Sequence, residues 1–243
     1  MVAMSFKSPP VNDNAKLVLR FENWVGDRKL SLDTSTYVNS LGQSFCITNF
    51  KYYVSDIELT GTSTYGTKYK LHYGDNKSFL IRQDDEISWE VSLDDLTEGS
   101  FDSISFLIGV DSLHNCSGAQ SGALDPLNGM FWTWNSGYIF MKLEGKSPAS
   151  KSPGHIFEYH IGGYKEPTNF IRKVTLAFKN EPLKPIYNKT TTIYIKTDAA
   201  KVLNGGNKID FSKLSSVTDF HNADMIADNY VNMFSIIRIS NEW

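Results

Sequence analysis

The chain has 243 residues, of which 41% are hydrophobic, 13% aromatic and 21% charged. A net charge of -3, without any cluster of lysine or arginine, argues against nucleic acid as a partner. No apolar run reaches the ~18 residues that a membrane-spanning helix requires. These values describe an ordinary globular protein, and all-β domains of this length commonly fold as one unit.

The N-terminal segment 1–14 is predicted to be a flexible tether, followed by a single domain over residues 15–243. Its sequence MVAMSFKSPPVNDN lacks the apolar stretch of a signal peptide and contains two adjacent prolines. Tethers of this kind often precede secreted domains. We therefore expect an extracytoplasmic protein whose leader has been removed.

Apolar residues at every second position predict β-strands along most of the chain. The predicted strands, in chain order, cover residues 17–21, 45–59, 87–93, 101–110, 131–143, 156–161, 170–178, 190–196 and 234–239. One helix is predicted over residues 219–233, with Asp219 as its N-cap. This pattern predicts an all-β fold, namely an antiparallel β-sandwich of the immunoglobulin-like or Greek-key type with one short helix near the C-terminus.

Two of the five histidines lie where the sequence favours a binding site. His114 follows an apolar strand, in the loop GVDSLHNCSG that also carries Asp111 and Cys116. His160 precedes the pair Gly162 and Gly163, which would let another chain segment or a ligand approach closely. Imidazole and thiolate are ligands that copper and zinc prefer. The remaining histidines are less suited to a shared site: His72, His155 and His221.

Common catalytic and zinc-binding motifs are absent from the sequence. It contains no G-x-S-x-G, H-E-x-x-H, Walker A or G-x-G-x-x-G fingerprint. Cys46 and Cys116 lack C-x-x-C spacing, and they could either pair with each other or remain free. We therefore expect a protein that is not an enzyme.

The stretch GMFWTWNSGYIFMKLEG, residues 129–145, concentrates aromatic residues and methionines around a polar triplet. A single strand of this length would exceed the usual range, so we expect a bulge or bend near residues 135–137. The stretch could form the buried centre of a sheet, a platform for a ligand or the wall of a metal site. Its composition alone leaves these three interpretations open.

Four segments together resemble the MbnP-like family of secreted bacterial proteins, which includes many lipoproteins of Bacteroidetes. They are FKYYVSDIEL, GVDSLHN, ALDPLNGMFWTWNSGYIFMKLEG and YHIGG, and they occur in the family's order. The resemblance covers roughly residues 15–240 and implies an all-β domain that handles copper. It also implies a periplasmic location or an outer-membrane lipid anchor, and a dihaem peroxidase-like partner protein.

The resemblance also implies a site. His114 and His160 match the family's histidines and become the predicted copper ligands, while Trp132 and Trp134 match its F-W-x-W pair. The residues predicted to surround the metal also include Met130, Asp111 and Tyr138. The chain departs from copper-binding relatives in that neither tryptophan has a histidine two residues later. The alternative function is a metal-free β-sandwich module, in which buried aromatics are core and exposed ones contact a glycan or a partner protein.

Overall fold

Two large β-sheets and two smaller two-stranded sheets form the protein in a computed structural model, which describes residues 15–96, 99–132, 137–179 and 181–242. The strands of these residues are β1 Ala15–Val25, β2 Arg28–Lys29, β3 Tyr37–Val38, β4 Ser44–Thr62, β5 Lys68–Arg82, β6 Glu90–Leu96, β7 Phe101–Ile108, β8 Phe131–Trp132, β9 Gly137–Tyr138, β10 Met141–Lys146, β11 Ile156–Ile161, β12 Tyr164–Lys165, β13 Thr168–Asn169, β14 Arg172–Ala177, β15 Thr190–Asp198, β16 Ser216–Val217 and β17 Phe234–Glu242. The helices are α1 Ser112–Cys116, α2 Ala200–Asn204 and α3 Ala223–Tyr230. Single 3-10 turns cover Glu86–Trp89, Gly122–Leu124, Pro126–Asn128, Pro153–His155 and Val231–Met233.

The predicted all-β sandwich is confirmed. One sheet has the strand order β17-β15-β1-β2, with β6 also paired to β1, and the other has the order β14-β7-β4-β10-β11-β16, with β3 and β5 also paired to β4. Most pairs are antiparallel, but β1 runs parallel to β15 and β11 runs parallel to β16. Alternating hydrophobicity indicates which face of a strand is buried and carries no information on strand direction, so the sequence did not reveal the parallel pairs.

The main core lies between the two sheets. On β1, every second side chain faces inward, and Leu17, Leu19 and Phe21 are fully buried. The ring of Phe21 contacts Tyr52 of the opposite sheet in an edge-on arrangement, with ring centroids 6.2 Å apart. Burial of each such side chain stabilises the fold by about 1.5–3 kcal/mol. The sandwich therefore depends on the alternation that the sequence displays.

A second, smaller core covers the outer face of the eight-stranded sheet. Tyr52 and Val54 of β4 face the main core, so the intervening Tyr53 points to the opposite side. There it packs with residues of the segment that joins β7 to β10. The buried members of this second core are Tyr53, Leu80, Val110, Leu124, Met130, Trp132, Tyr138, Ile139 and Phe140.

The helix predicted near the C-terminus is present but shorter than expected. It comprises α3 and continues into the 3-10 turn Val231–Met233. Asn222 occupies the N-cap position, whereas Asp219 accepts a hydrogen bond from the backbone N–H of His221 at 2.8 Å and caps no helix. None of the helices among the described residues is long and apolar enough to cross a membrane.

One predicted strand begins later than expected. Residues 86–89 form a 3-10 turn because the carboxylate of Asp85 accepts a hydrogen bond from the backbone N–H of Ile87. The side chain of Ile87 is consequently 89% exposed, and the strand starts only at Glu90. The two cysteines, Cys46 on β4 and Cys116 on α1, are free thiols.

Candidate metal-binding site

His114 lies on α1, directly after the loop that follows β7. Asp111 is the N-cap of this helix, and one carboxylate oxygen accepts a hydrogen bond from the backbone N–H of His114 at 3.0 Å. The other oxygen contacts Nδ1 of the same imidazole. A carboxylate on one ring nitrogen fixes the orientation of a histidine and favours the tautomer with the proton on that nitrogen. The side chain of His114 is 13% exposed, and Nε2 has no hydrogen-bond partner in the described part of the chain.

The carboxylate of Asp111 is ionised at neutral pH. Burial raises its pKa, but hydrogen bonds from the backbone N–H and the imidazole of His114 outweigh burial and hold the pKa of Asp111 below its usual value. An ionised Asp111 accepts hydrogen bonds only, so it keeps the proton of His114 on Nδ1. The remaining nitrogen then carries the lone pair that a metal would use.

His160 is held in the same way on the outer face of the eight-stranded sheet. Tyr159 and Ile161 on either side of it face the main core, so His160 points outward. Its Nε2 lies 2.6 Å from Oε1 of Glu144 on the adjacent strand β10. The other oxygen of Glu144 accepts a hydrogen bond from the amide of Asn49 on β4 at 2.9 Å. For Nδ1 of His160, the residues that the structure describes provide no hydrogen-bond partner.

The charge of Glu144 is strongly stabilised. The hydrogen bond with His160 is the largest cause, and it lowers the pKa of Glu144 to about 2 against the opposing effect of burial. Asn49 and the ammonium group of Lys142 act in the same direction. Lys142 itself is mostly buried, its Nζ donates to the carbonyl of Gly129 at 2.6 Å, and burial lowers its pKa. Lys142 thus connects the strand bearing Glu144 to the start of the aromatic stretch.

The depressed pKa of Glu144 predicts a specific dependence of stability on pH. Because the folded-state pKa lies below the unfolded value of 4.5, the stabilisation is complete above about pH 5 and is lost as the pH falls towards 2. We expect Glu144→Gln to lower the free energy of unfolding by about 1–2 kcal/mol at pH 6, after allowance for solvent screening, and by roughly half of that or less at pH 3. Urea unfolding at a series of pH values measures this difference.

Glu158→Gln is the matched control for this experiment. Glu158 lies directly opposite Glu144 on β11, but its carboxylate accepts a hydrogen bond from Ser216. A difference between wild type and Glu144→Gln that stays constant from pH 6 to pH 3 would contradict the predicted linkage.

The aromatic stretch folds back on itself. β8 pairs with β9 in antiparallel register, with Trp132 opposite Gly137. The bend expected near residues 135–137 falls largely in residues 133–136, outside the described residues. Met130 is fully buried, and Trp132 and Tyr138 are 6% and 1% exposed. The hydroxyl of Tyr138 donates to the carbonyl of Leu124 at 2.8 Å. Trp134 falls in residues 133–136, outside the described residues.

The two glycines after His160, Gly162 and Gly163, were predicted to let another chain segment approach closely, and Gly162 does so. A Cβ atom on Gly162 would lie 2.3 Å from the carbonyl oxygen of Tyr138 and 2.8 Å from the ring of Trp132. Gly163 has a φ of 132°, a backbone conformation that favours glycine. Because Gly162 has no side chain, the antiparallel pair of β8 and β9, called the aromatic hairpin below, lies directly on the end of β11, the strand that bears His160.

The two histidines lie on different elements and each has its own carboxylate. His114 pairs with Asp111 within one helical turn, and His160 pairs with Glu144 across two strands. Among residues 15–96, 99–132, 137–179 and 181–242, no group of three or more histidine, cysteine, aspartate or glutamate side chains could hold a metal ion. Coordination of one ion by both imidazoles stays a prediction.

Three polar residues of the site were not predicted from the sequence: Glu144, Asn49 and Lys142. Alternation along 141–146 could have placed Glu144 and Lys142 on the outer face, because Met141 and Leu143 belong to the core. Their proximity to His160 depends on the pairing of β10 with β11, which no local pattern encodes.

The geometry defines a class of protein: a β-sandwich with a second aromatic core on one sheet and two imidazoles, each oriented by a carboxylate. The chain belongs to the MbnP family, whose sequence profile matches residues 14–222. The structure of MbnP from Methylosinus trichosporium has a similar fold, with a TM-score of 0.50 and 13% sequence identity over 84% of this chain and 80% of that chain. Comparison with curated protein sequences finds no match.

Proposed function

We propose that this protein is an extracytoplasmic copper-binding protein, with His114 and His160 as the ligands of the metal. One observation carries the proposal: in both imidazoles one nitrogen is held by a carboxylate, and the other has no hydrogen-bond partner among the described residues. Histidines that bind metals almost always have this arrangement, because the carboxylate orients the ring and increases its basicity.

The donor chemistry of the two histidines fits copper. Neutral imidazole binds both oxidation states of copper, and carboxylates such as Asp111 and Glu144 are common partners of metal-bound histidines. The other described histidines that lie beside a carboxylate are more exposed. The side chains of His72 and His221 are 50% and 89% exposed, which provides little shielding from water. Exclusion of water by the neighbouring aromatic core favours a tightly held ion over rapid exchange.

Membership of the MbnP family supports the same function, since the resemblance implies the handling of copper. In this proposal the protein holds copper and does not catalyse a reaction. It acts in the periplasm or on the outer membrane, and a dihaem peroxidase-like protein is its proposed partner.

Metal titration of the purified protein tests the proposal. We expect wild type to bind one copper ion in competition with a chromophoric Cu(I) chelator, and the double variant His114→Ala/His160→Ala to lose this binding. His221→Ala is the control, because His221 also contacts a carboxylate, that of Asp219, but is exposed. Wild type that fails to compete for copper, or a double variant that binds as wild type does, would refute the proposal.

An open groove favours metal-free binding as the second candidate function. It has a volume of about 570 Å³ and lies between the edge strands β14 and β17 of the two sheets. Ile237 and Ile239 line it and are 44% and 39% exposed. If wild type binds no copper, this groove becomes the leading candidate for the binding of a partner.

A further inference from the structure

Asn115 is a buried polar residue beside His114, and copper coordination as proposed does not involve it. Its side chain is 2% exposed and makes three hydrogen bonds. The amide nitrogen Nδ2 donates to the carbonyl of Val110 at 2.6 Å and to the carbonyl of Asp111 at 3.0 Å. The amide oxygen accepts from the backbone N–H of Tyr138 at 3.0 Å. All of the contacts are internal, so Asn115 joins the loop after β7 to strand β9.

These bonds connect the imidazole to the aromatic hairpin. The carboxylate of Asp111 contacts Nδ1 of His114. The backbone carbonyl of Asp111 accepts hydrogen bonds from both the side-chain amide and the backbone N–H of Asn115. On the other side, Tyr138 belongs to β9, the strand paired with the one that bears Trp132. A single side chain thus lies between the element that carries the predicted ligand and the element that carries the predicted aromatic wall.

We propose that Asn115 is a positioning residue, which holds the His114 imidazole with Nε2 turned away from Asp111 and in fixed register with the Trp132 hairpin. The role requires a side chain that donates to carbonyls and accepts from an N–H at the same time, which the asparagine amide does. The effect on copper affinity rests on the proposed function, whereas the orientation of the His114 ring is a property of the metal-free protein and can be measured without copper.

Asn115→Asp tests this role with little change in volume. The variant keeps the acceptor for Tyr138 but loses both side-chain donors. The carbonyl of Val110 loses its bond from Asn115, and the carbonyl of Asp111 keeps only the bond from the backbone N–H of Asn115. We expect the ¹⁵N signals of the His114 ring to show a single tautomer, with the proton on Nδ1, in metal-free wild type and a mixture in the variant. We also expect an affinity for copper about tenfold lower, as for other residues that orient a metal ligand.

Asn229→Asp is the matched control. Asn229 is also buried, with 0% exposure, and its amide donates to the carbonyl of Val202 at 2.9 Å and accepts from the N–H of Gly206 at 2.7 Å. The control therefore makes the same substitution, asparagine to aspartate, in a second network of internal hydrogen bonds that lies away from α1. We expect Asn229→Asp to alter stability and to leave both the His114 signals and copper affinity unchanged.

The outcomes separate this inference from the proposed function. Unchanged His114 signals in Asn115→Asp, or equal changes in both aspartate variants, would overturn the positioning role. Altered signals in Asn115→Asp alone support it, even if wild type binds no copper, a result that would refute only the copper function. Should Asn115→Asp not fold, Asn115→Ser provides the same readouts without an added charge.

Discussion

Replacement of Gly162 by alanine is expected to lower the free energy of unfolding by about 3 kcal/mol or more. The added Cβ would lie 2.3 Å from the carbonyl oxygen of Tyr138, a backbone atom that cannot move without a shift of β9. It would also lie 2.8 Å from the ring of Trp132, which is itself packed against Phe220. In a domain of this size, such a loss corresponds to a fall of about 6–12 °C in Tm.

Gly206→Ala is the matched control for the change at Gly162. A Cβ on Gly206 would meet no atom nearer than Oδ1 of Asn229, at 4.0 Å. We expect this variant to stay within about 0.5 kcal/mol of wild type. Thermal and urea unfolding measure the stability of the two variants. If Gly162→Ala were as stable as Gly206→Ala, the aromatic hairpin would not pack on the end of β11 in solution.

The single variants His114→Ala and His160→Ala are each expected to reduce copper affinity by at least about a hundredfold, equivalent to about 2.7 kcal/mol. Loss of a residue that only orients a ligand costs about 10–100-fold, and loss of the ligand itself should exceed that range. Competition titration gives the affinity. Electron paramagnetic resonance of the Cu(II) form gives the number of nitrogen ligands, for which we expect two.

A shared ion and two separate ions give different results for these single variants. If both imidazoles hold one ion, each variant loses tight binding, and the double variant is little worse than either. If each histidine binds its own ion beside Asp111 or Glu144, wild type binds two ions and each single variant retains one at full affinity. This second result would contradict the predicted shared site.

Much of the architecture could be predicted from the sequence because it depends on local spacing. Alternation along β1 and β4 predicted strands whose inward side chains, such as Phe21 and Tyr52, form the main core. In the candidate site, the sequence predicted that Asp111 and His114 share one loop after a strand, but it did not predict helix α1. Asp111 and His114 are three residues apart, so a single turn of helix brings the carboxylate to the imidazole.

Tertiary structure alone decided the contacts between residues that are distant in sequence. Glu144 meets His160 because β10 and β11 pair in one particular register, and a shift of one residue would turn Glu144 to the opposite face. Burial of Trp132 likewise depends on the hairpin lying against Gly162. Covalent spacing determines short-range geometry, whereas strand direction, register and the second core arise from packing of the whole chain.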